Sequence, residues 1–295
     1  MDWDKLRIFH AAAEAGSFTH AGDTLHMSQS AVSRQVSALE RELKVPLFHR
    51  HARGLQLTEQ GEMLYQTAAD VLAKLQTAEM LLTDATSKPQ GEIRISAPVG
   101  LGTVWVTQRL REFMDLYPDI RIDLILNDDQ VDLTMRAADV GIWLHEPTQT
   151  DLIRKPLATL NVKAYASTSY VRRYGVPTSV EDLDKHRLIS YSGNPQLYSN
   201  LGWLETVGRQ GQPPRTPAFK ANSVVALKYA VQTGIGIGMI PDYMTEEASE
   251  LVSVLADAVQ PTLPILFVYP EELKSSKRVQ VLRDFLVAQA RQWKY

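Results

Sequence analysis

The sequence predicts a multidomain chain: an all-α winged helix-turn-helix N-terminal domain, a long linker helix, and then a larger α/β part. Two capped helical patterns around a tight turn, followed by a basic hairpin, predict the first. A heptad pattern running to about Ser87 predicts the second. Beyond Glu92, apolar strands alternate with helical patterns, which predicts the third. The length of 295 residues exceeds what one core usually holds.

The first helix of the motif is read in Ser17 to Leu25, with His26-Met27 as the turn. Ser28 stands where an N-cap belongs, ahead of Gln29 to Glu40. Val32, Val36 and Leu39 share one face by i, i+4, i+7 spacing, while Gln29, Ser30, Ser33, Arg34 and Ser37 take the other. With Ser28, these are donors and acceptors suited to base edges or phosphates in a major groove. A solvated helix surface gives the same pattern, so the helix by itself leaves both readings open. The next segment, Pro46 to Thr58, reads as two short strands around Arg53-Gly54, with Arg50, His51 and Arg53 at the tip. Such a cationic hairpin suits phosphate or a narrow minor groove.

Residues 1–58 closely resemble the N-terminal domain of LysR-type transcriptional regulators. Ser17-Phe18-Thr19, the run Ser28-Gln29-Ser30-Ala31-Val32-Ser33-Arg34-Gln35-Val36, Pro46-Leu47-Phe48 and Leu57-Thr58-Glu59-Gln60-Gly61 carry the resemblance, in order and at the right spacing. It implies a sequence-specific regulator whose partner is a double-stranded DNA operator and whose action responds to a small-molecule effector. RNA polymerase is a further candidate partner.

After Thr58, an N-cap with Glu59 and Glu62 near the positive helix end, the helical pattern is unbroken. Leu64, Ala68, Val71, Leu75, Ala78 and Leu82 form a narrow heptad seam. The seam reads as a dimerisation helix; packing against its own domain is the alternative. The resemblance implies the dimer, and extends it to a homotetramer through the sensor domains. Pro89 and Gly91 then suggest a hinge.

In the C-terminal part, Ile93 and Ile95 lead into Ala97-Pro98. A helix is expected over 102–116, a strand over 120–126, a short helix over 131–137, and a strand around Asp139 to Trp143. Further strands are expected over 162–166, 187–190, 219–221, 236–240 and 264–268. Helices are expected over 223–233 and 276–293. This half resembles the α/β two-lobed periplasmic-binding-protein-like sensor domain of the LysR family, with crossings near Leu160 and Leu266. The expected domains are 1–58, 59–91 and 92–295, with lobe I at 92–160 and 267–295 and lobe II at 161–266.

Ligands of open α/β sheets sit at strand carboxyl ends. Pro98, Val99 and Gly100 stand at such an end, before a helix whose free N–H groups favour an anion, typically a carboxylate. A tight turn alone would also use Pro98 and Gly100. Asn127 and Trp143, with Tyr191, Ser192 and Asn222 of the second lobe, complete the expected effector site. Trp143 stands where many relatives carry Arg, which puts a simple polyanionic effector in doubt; lining the pocket and packing the sheet edge both remain open for it.

The absence of cysteine excludes disulfides, thiolate metal sites and a Cys nucleophile. Net charge is −3, which leaves room for a local basic surface on an acidic body. His10, His20, His26, His49 and His51 crowd the first 58 residues and read as polar surface, so no metal or cofactor is expected. Gly234-Ile235-Gly236-Ile237-Gly238 lacks the spacing and context of a dinucleotide fingerprint, and no catalytic motif appears. An enzyme is therefore not expected. Enzyme fusion and an architectural DNA-binding protein are the rival classes. With no leader-like segment or membrane-length apolar run, a cytoplasmic location is expected.

Overall fold

The computed structural model describes residues 2–51, 54–84, 88–129, 131–134, 137–147, 149, 151–193, 198–245, 248–258 and 260–293, without the side chains of residues 50, 73–74 and 76–84. The chain divides into two units, Met1–Leu82 and Thr83–Tyr295.

Side-chain caps set the helix starts of the first unit. Asp2 caps α1 (Trp3–Ala15), Ser17 caps α2 (Phe18–Leu25), and Ser28 caps α3 (Gln29–Leu43) through the Ala31 N–H at 3.2 Å. The Thr58 hydroxyl accepts from the Gly61 N–H at 2.9 Å and so starts α4 (Glu59–Asp84). Between α2 and α3 the chain folds back so closely that a Cβ on Gly22 would sit 2.5 Å from the Met27 carbonyl oxygen. Only glycine admits that approach. Val32, Val36 and Leu39 of α3 are fully buried with Phe9, Ala12 and Ala21. Strands β1 (Phe48–His51) and β2 (Gly54–Leu57) pair antiparallel, Phe48 opposite Leu57. Phe48 seals the hairpin to the core against Phe9 and Phe18, ring centroids 5.3 and 5.9 Å away.

This unit runs past the expected boundary at residue 58. Ala68 of α4 is fully buried in the same core, with Leu64 and Tyr65 packed against it. The first two positions of the expected dimer seam therefore serve their own unit. An apolar stripe toward one's own core and a heptad seam start with the same spacing, so the pattern could not separate them.

In the second unit β3 (Gly91–Ala97) pairs parallel with β4 (Ile120–Leu126) and β5 (Val140–Trp143). Between β3 and β4 the chain forms α5 (Val99–Leu101), a π-helical stretch (Gly102–Val106) and α6 (Thr107–Leu116). Helix thus begins at Val99, three residues before the expected start, because Pro98 supplies the extended residue that precedes it. The helix expected over 131–137 is not formed by its described residues. The Asp132 carboxylate instead accepts from the Thr134 N–H and hydroxyl at 2.8 and 2.6 Å, a local turn. Residues 135 and 136 lie outside the described set.

The 16-residue strand β6 (Leu152–Ser167) serves two lobes. Residues 152–161 pair with the last long strand, Thr262–Pro270, on the β3 side. Residues 162–165 pair with the strand Ile237–Pro241 on the other side. The second lobe follows as α7 (Thr168–Tyr174), β7 (Leu188–Tyr191), α8 (Trp203–Thr206), β8 (Phe219–Ala221), α9 (Val224–Gln232), β9 (Ile237–Pro241) and β10 (Leu251–Ser253). Then β11 (Thr262–Pro270) returns, and α10 (Lys277–Ala290) covers the first lobe. The sheet order is β4-β3-β5-β11-β6-β9-β7-β8, with β10 on β6. The first crossing lies between Asn161 and Val162. The second lies at Pro261, not near Leu266, because Thr262 already sits opposite Asn161 and the Pro261 carbonyl accepts from Val162 N–H. All of β11 thus belongs to lobe I. The buried Asp242 carboxylate fastens the crossing, accepting from both the Asn161 N–H and side-chain amide at 3.0 Å.

Candidate nucleic-acid interface and ligand cleft

Ser28, Gln29, Ser30 and Arg34 are exposed along α3, and Ser33 and Ser37 are half-buried beside them. The stripe Ser30, Ser33/Arg34, Ser37 lies opposite the buried valines. It offers hydroxyls and a guanidinium, with the Gln29 amide at the helix start, on a helix held from behind by a packed core. The hairpin is held to α3 by a contact that sequence reasoning missed. The Glu40 carboxylate accepts from the N–H groups of Leu47 at 2.9 Å and Phe48 at 3.3 Å, at the start of the hairpin. His49 and His51 are exposed on β1. Arg53 and the side chain of Arg50 lie outside the described residues, as do the side chains of Ala78 and Leu82. Farther along α4, Val71 is half-buried and Leu75 is 49% exposed.

In the second unit a cleft of about 360 Å³ opens where strands of both lobes end. It is lined by Val99, Leu126, Asn127, Asp128 and Asp129 of lobe I and by Tyr191, Gly193, Asn222 and Ser223 of lobe II. These follow the carboxyl ends of β3, β4, β7 and β8, where open α/β sheets take ligands. Of the expected site, Val99, Asn127, Tyr191 and Asn222 line this cleft. Pro98, Gly100, Ser192 and Trp143 do not.

Each of these four has a physical reason. Pro98 is buried as the residue that starts the helix. Gly100 faces lobe II directly; a Cβ there would meet Val224 Cγ2 at 2.4 Å and the Tyr243 hydroxyl at 2.7 Å. Ser192 is spent on its backbone, its N–H bonded to the Ala221 carbonyl at 2.9 Å. Trp143 is buried with Leu133, Ala138, Leu152, Leu266 and Val268, and stacks on His145. It packs the sheet.

The helix N-terminus is already capped. Asp128 accepts from the Val99 N–H at 3.0 Å, so a negative charge already stands at the first of the N–H groups that would have met an anion. Burial pushes the Asp128 carboxyl above its usual range; the Val99 hydrogen bond pulls it back and the Asp129 charge pushes it further up. Burial, then the Asp128 and Asp129 charges, push Tyr191 up to about 12. The described lining residues include two carboxylates and neither Lys nor Arg. The sequence signal for this was the run Asn127-Asp128-Asp129 directly after a strand.

Comparison with known proteins follows this geometry. Residues 3–62 match the family model of the bacterial regulatory helix-turn-helix protein, lysR family, and residues 86–291 match that of the LysR substrate binding domain. An HTH-type transcriptional regulator of Xanthomonas campestris is 30% identical over 291 residues, 97% of this chain and 85% of that protein. The structure of CrgA, a LysR-type transcriptional regulator from Neisseria meningitidis, superposes with a TM-score of 0.63 at 28% identity, covering 98% of this chain and 99% of that one. Full-length AphB, a Vibrio cholerae virulence activator, gives 0.64 at 28% identity over 98% and 99%. Both the helix-turn-helix unit and the cleft-bearing unit are thus matched in one order along one chain, and the protein belongs to the LysR family of DNA-binding transcriptional regulators with an effector-binding domain.

Proposed function

We propose that the chain reads its operator through Ser28, Gln29, Ser30, Ser33, Arg34 and Ser37, with Arg50 and Arg53 of the hairpin on phosphate. The single observation that supports this most is the exposed polar stripe of α3, backed by a fully buried apolar one. Half-sites are read in pairs, so a homodimer is part of the reading. Its seam comprises Val71, Leu75, Ala78 and Leu82, and the solvent-exposed Leu75 supports it. A homotetramer and contact with RNA polymerase extend the same reading to the promoter.

The effector binds in the cleft between the lobes and shifts the population of two arrangements of the oligomer. The protein acts by binding rather than by turnover, as its relatives are transcriptional regulators. It works in the cytoplasm, where bacterial operator DNA is. A carboxylate effector finds no support in the cleft lining, for the reasons of charge given above.

Operator titration of Arg34→Ala at several salt concentrations tests the DNA assignment. A base contact costs about 1–3 kcal/mol on the operator and little on random DNA. Equal loss on both makes Arg34 a phosphate contact; no loss removes it from the interface.

A further inference from the structure

The cleft carries two kinds of unmet demand. One is charge: Asp128 and Asp129 are adjacent, and no lining residue among those described is cationic. The other is hydrogen bonding. The lining residue Tyr191 carries a buried hydroxyl that has no partner among the described residues. Behind it Tyr198 and Tyr243 are 1% and 3% exposed and belong to the packed wall rather than to the lining. Their hydroxyls lie close enough to hydrogen-bond to each other. The Asp128 charge reaches all three tyrosines, of which Tyr191 lines the cleft beside it. Tyr198 stands edge-on to Tyr191, centroids 5.2 Å apart, and Tyr243 reaches to Gly100, next to the lining residue Val99.

A buried hydroxyl without a partner is costly, and so is a half-buried carboxylate without a counter-charge. One kind of ligand satisfies both. A protonated amine or guanidinium donates several hydrogen bonds, carries the missing positive charge, and is attracted to a tyrosine face. A carboxylate would meet like charge, and a neutral polyol would leave both aspartates uncompensated.

We infer that the effector of this protein is a small organic cation, a molecule bearing an ammonium or guanidinium group that is held by Asp128 and the hydroxyl of Tyr191. The inference rests on the reading that the cleft between the lobes is the effector site. The cavity volume suits a molecule of metabolite size. Asp128 makes the main contact because it is half-buried in the lining, while Asp129 is exposed and contributes through the field.

The test is calorimetric titration of the full-length protein with three sets of probes. Agmatine, putrescine and tyramine are the cations, pentanoate and phenylacetate the anions, ribose and glycerol the neutral polyols. Two variants accompany the wild type. Asp128→Asn keeps an oxygen for the Val99 N–H and removes the charge; Asn222→Trp fills the cleft from lobe II. Circular dichroism and operator binding establish that both fold. The expected result is binding of a cationic probe, weakened about tenfold to a hundredfold by Asp128→Asn and abolished by Asn222→Trp. An anion or polyol that binds and is lost in Asn222→Trp overturns the ligand class and leaves the cleft as the site. A cation that is lost in Asn222→Trp but indifferent to Asp128→Asn does the same. Binding unchanged by Asn222→Trp overturns the site itself. If none of the cationic probes binds, the charge argument is refuted.

Discussion

The Glu40 carboxylate is the sharpest place to test how the hairpin is held beside α3. It accepts two backbone N–H groups, at 2.9 Å from Leu47 and 3.3 Å from Phe48. A hydrogen bond to a charged group is worth about 1.5–3 kcal/mol when fully made. The first contact has normal length; the second is long and counts for less. Glu40 is half-buried, so water partly replaces the lost acceptor in a Glu40→Ala variant. The net loss is then about 1–2 kcal/mol, a factor of about 5–30 in the local opening equilibrium. Amide hydrogen exchange of the full-length protein reads it directly. Exchange at Leu47 and Phe48 should quicken by that factor in Glu40→Ala and stay near the wild-type rate in Glu40→Gln, which keeps an acceptor oxygen. Non-specific DNA affinity should fall with it, since a loosened hairpin pays an ordering cost on binding. Unchanged exchange at both amides in Glu40→Ala would refute the tie between hairpin and helix.

Three further outcomes are expected. Leu75→Asp should split the oligomer in light scattering while leaving each unit folded, whereas Ala68→Leu should cost about 1–3 kcal/mol of stability by overpacking its own core and leave the oligomer intact. Trp143→Ala should lower stability by about 3–5 kcal/mol in denaturant unfolding and leave effector affinity alone, because its ring packs the sheet. The affinity of a cationic ligand should fall on acidification, as pH drops through the Asp128 carboxyl's raised range. The cation favours the ionised carboxylate, so affinity is full above that range and lost below it. Of the groups facing Asp128, the Asp129 charge pushes it further up, while Tyr191, Tyr198 and Tyr243 stay neutral throughout. Isothermal titration across the acid range checks it, and a flat profile contradicts it.

What was legible in the sequence was local. Ser28, three residues before the amide it caps, and the spacing of Val32, Val36 and Leu39 announce α3 without any knowledge of the rest. Strand ends and the positions of Val99, Asn127, Tyr191 and Asn222 follow from period changes and the strand-end rule. What failed was long-range or degenerate. The Asp128 contact to the Val99 N–H comes from 29 residues away, where no local pattern announces it. β5 is buried at all four positions, so alternation could not say which way Trp143 points. The apolar stripe of α4 continues through Ala68 and Leu75, although one is fully buried and the other half-exposed. The Pro261 crossing was hidden because Pro264 looked like a strand start, while pairing already begins at Thr262.

The two connections between the lobes are not independent tethers. They run side by side, and the strands that carry them are hydrogen-bonded from Thr262 opposite Asn161 onward. A lone extended segment can swivel about its two soft dihedrals per residue. A paired ribbon must move both strands at once or break its ladder. Asp242, bonded to Asn161 at the point of flexure, stiffens it further. The joint therefore behaves as a leaf spring, with easy twist and little free rotation. Adjacent strands in sheets are twisted relative to one another by about 10–35°, so a two-stranded ribbon accommodates twist more readily than separation of its strands. Any relative movement of the lobes therefore has to deform both strands of the ribbon together.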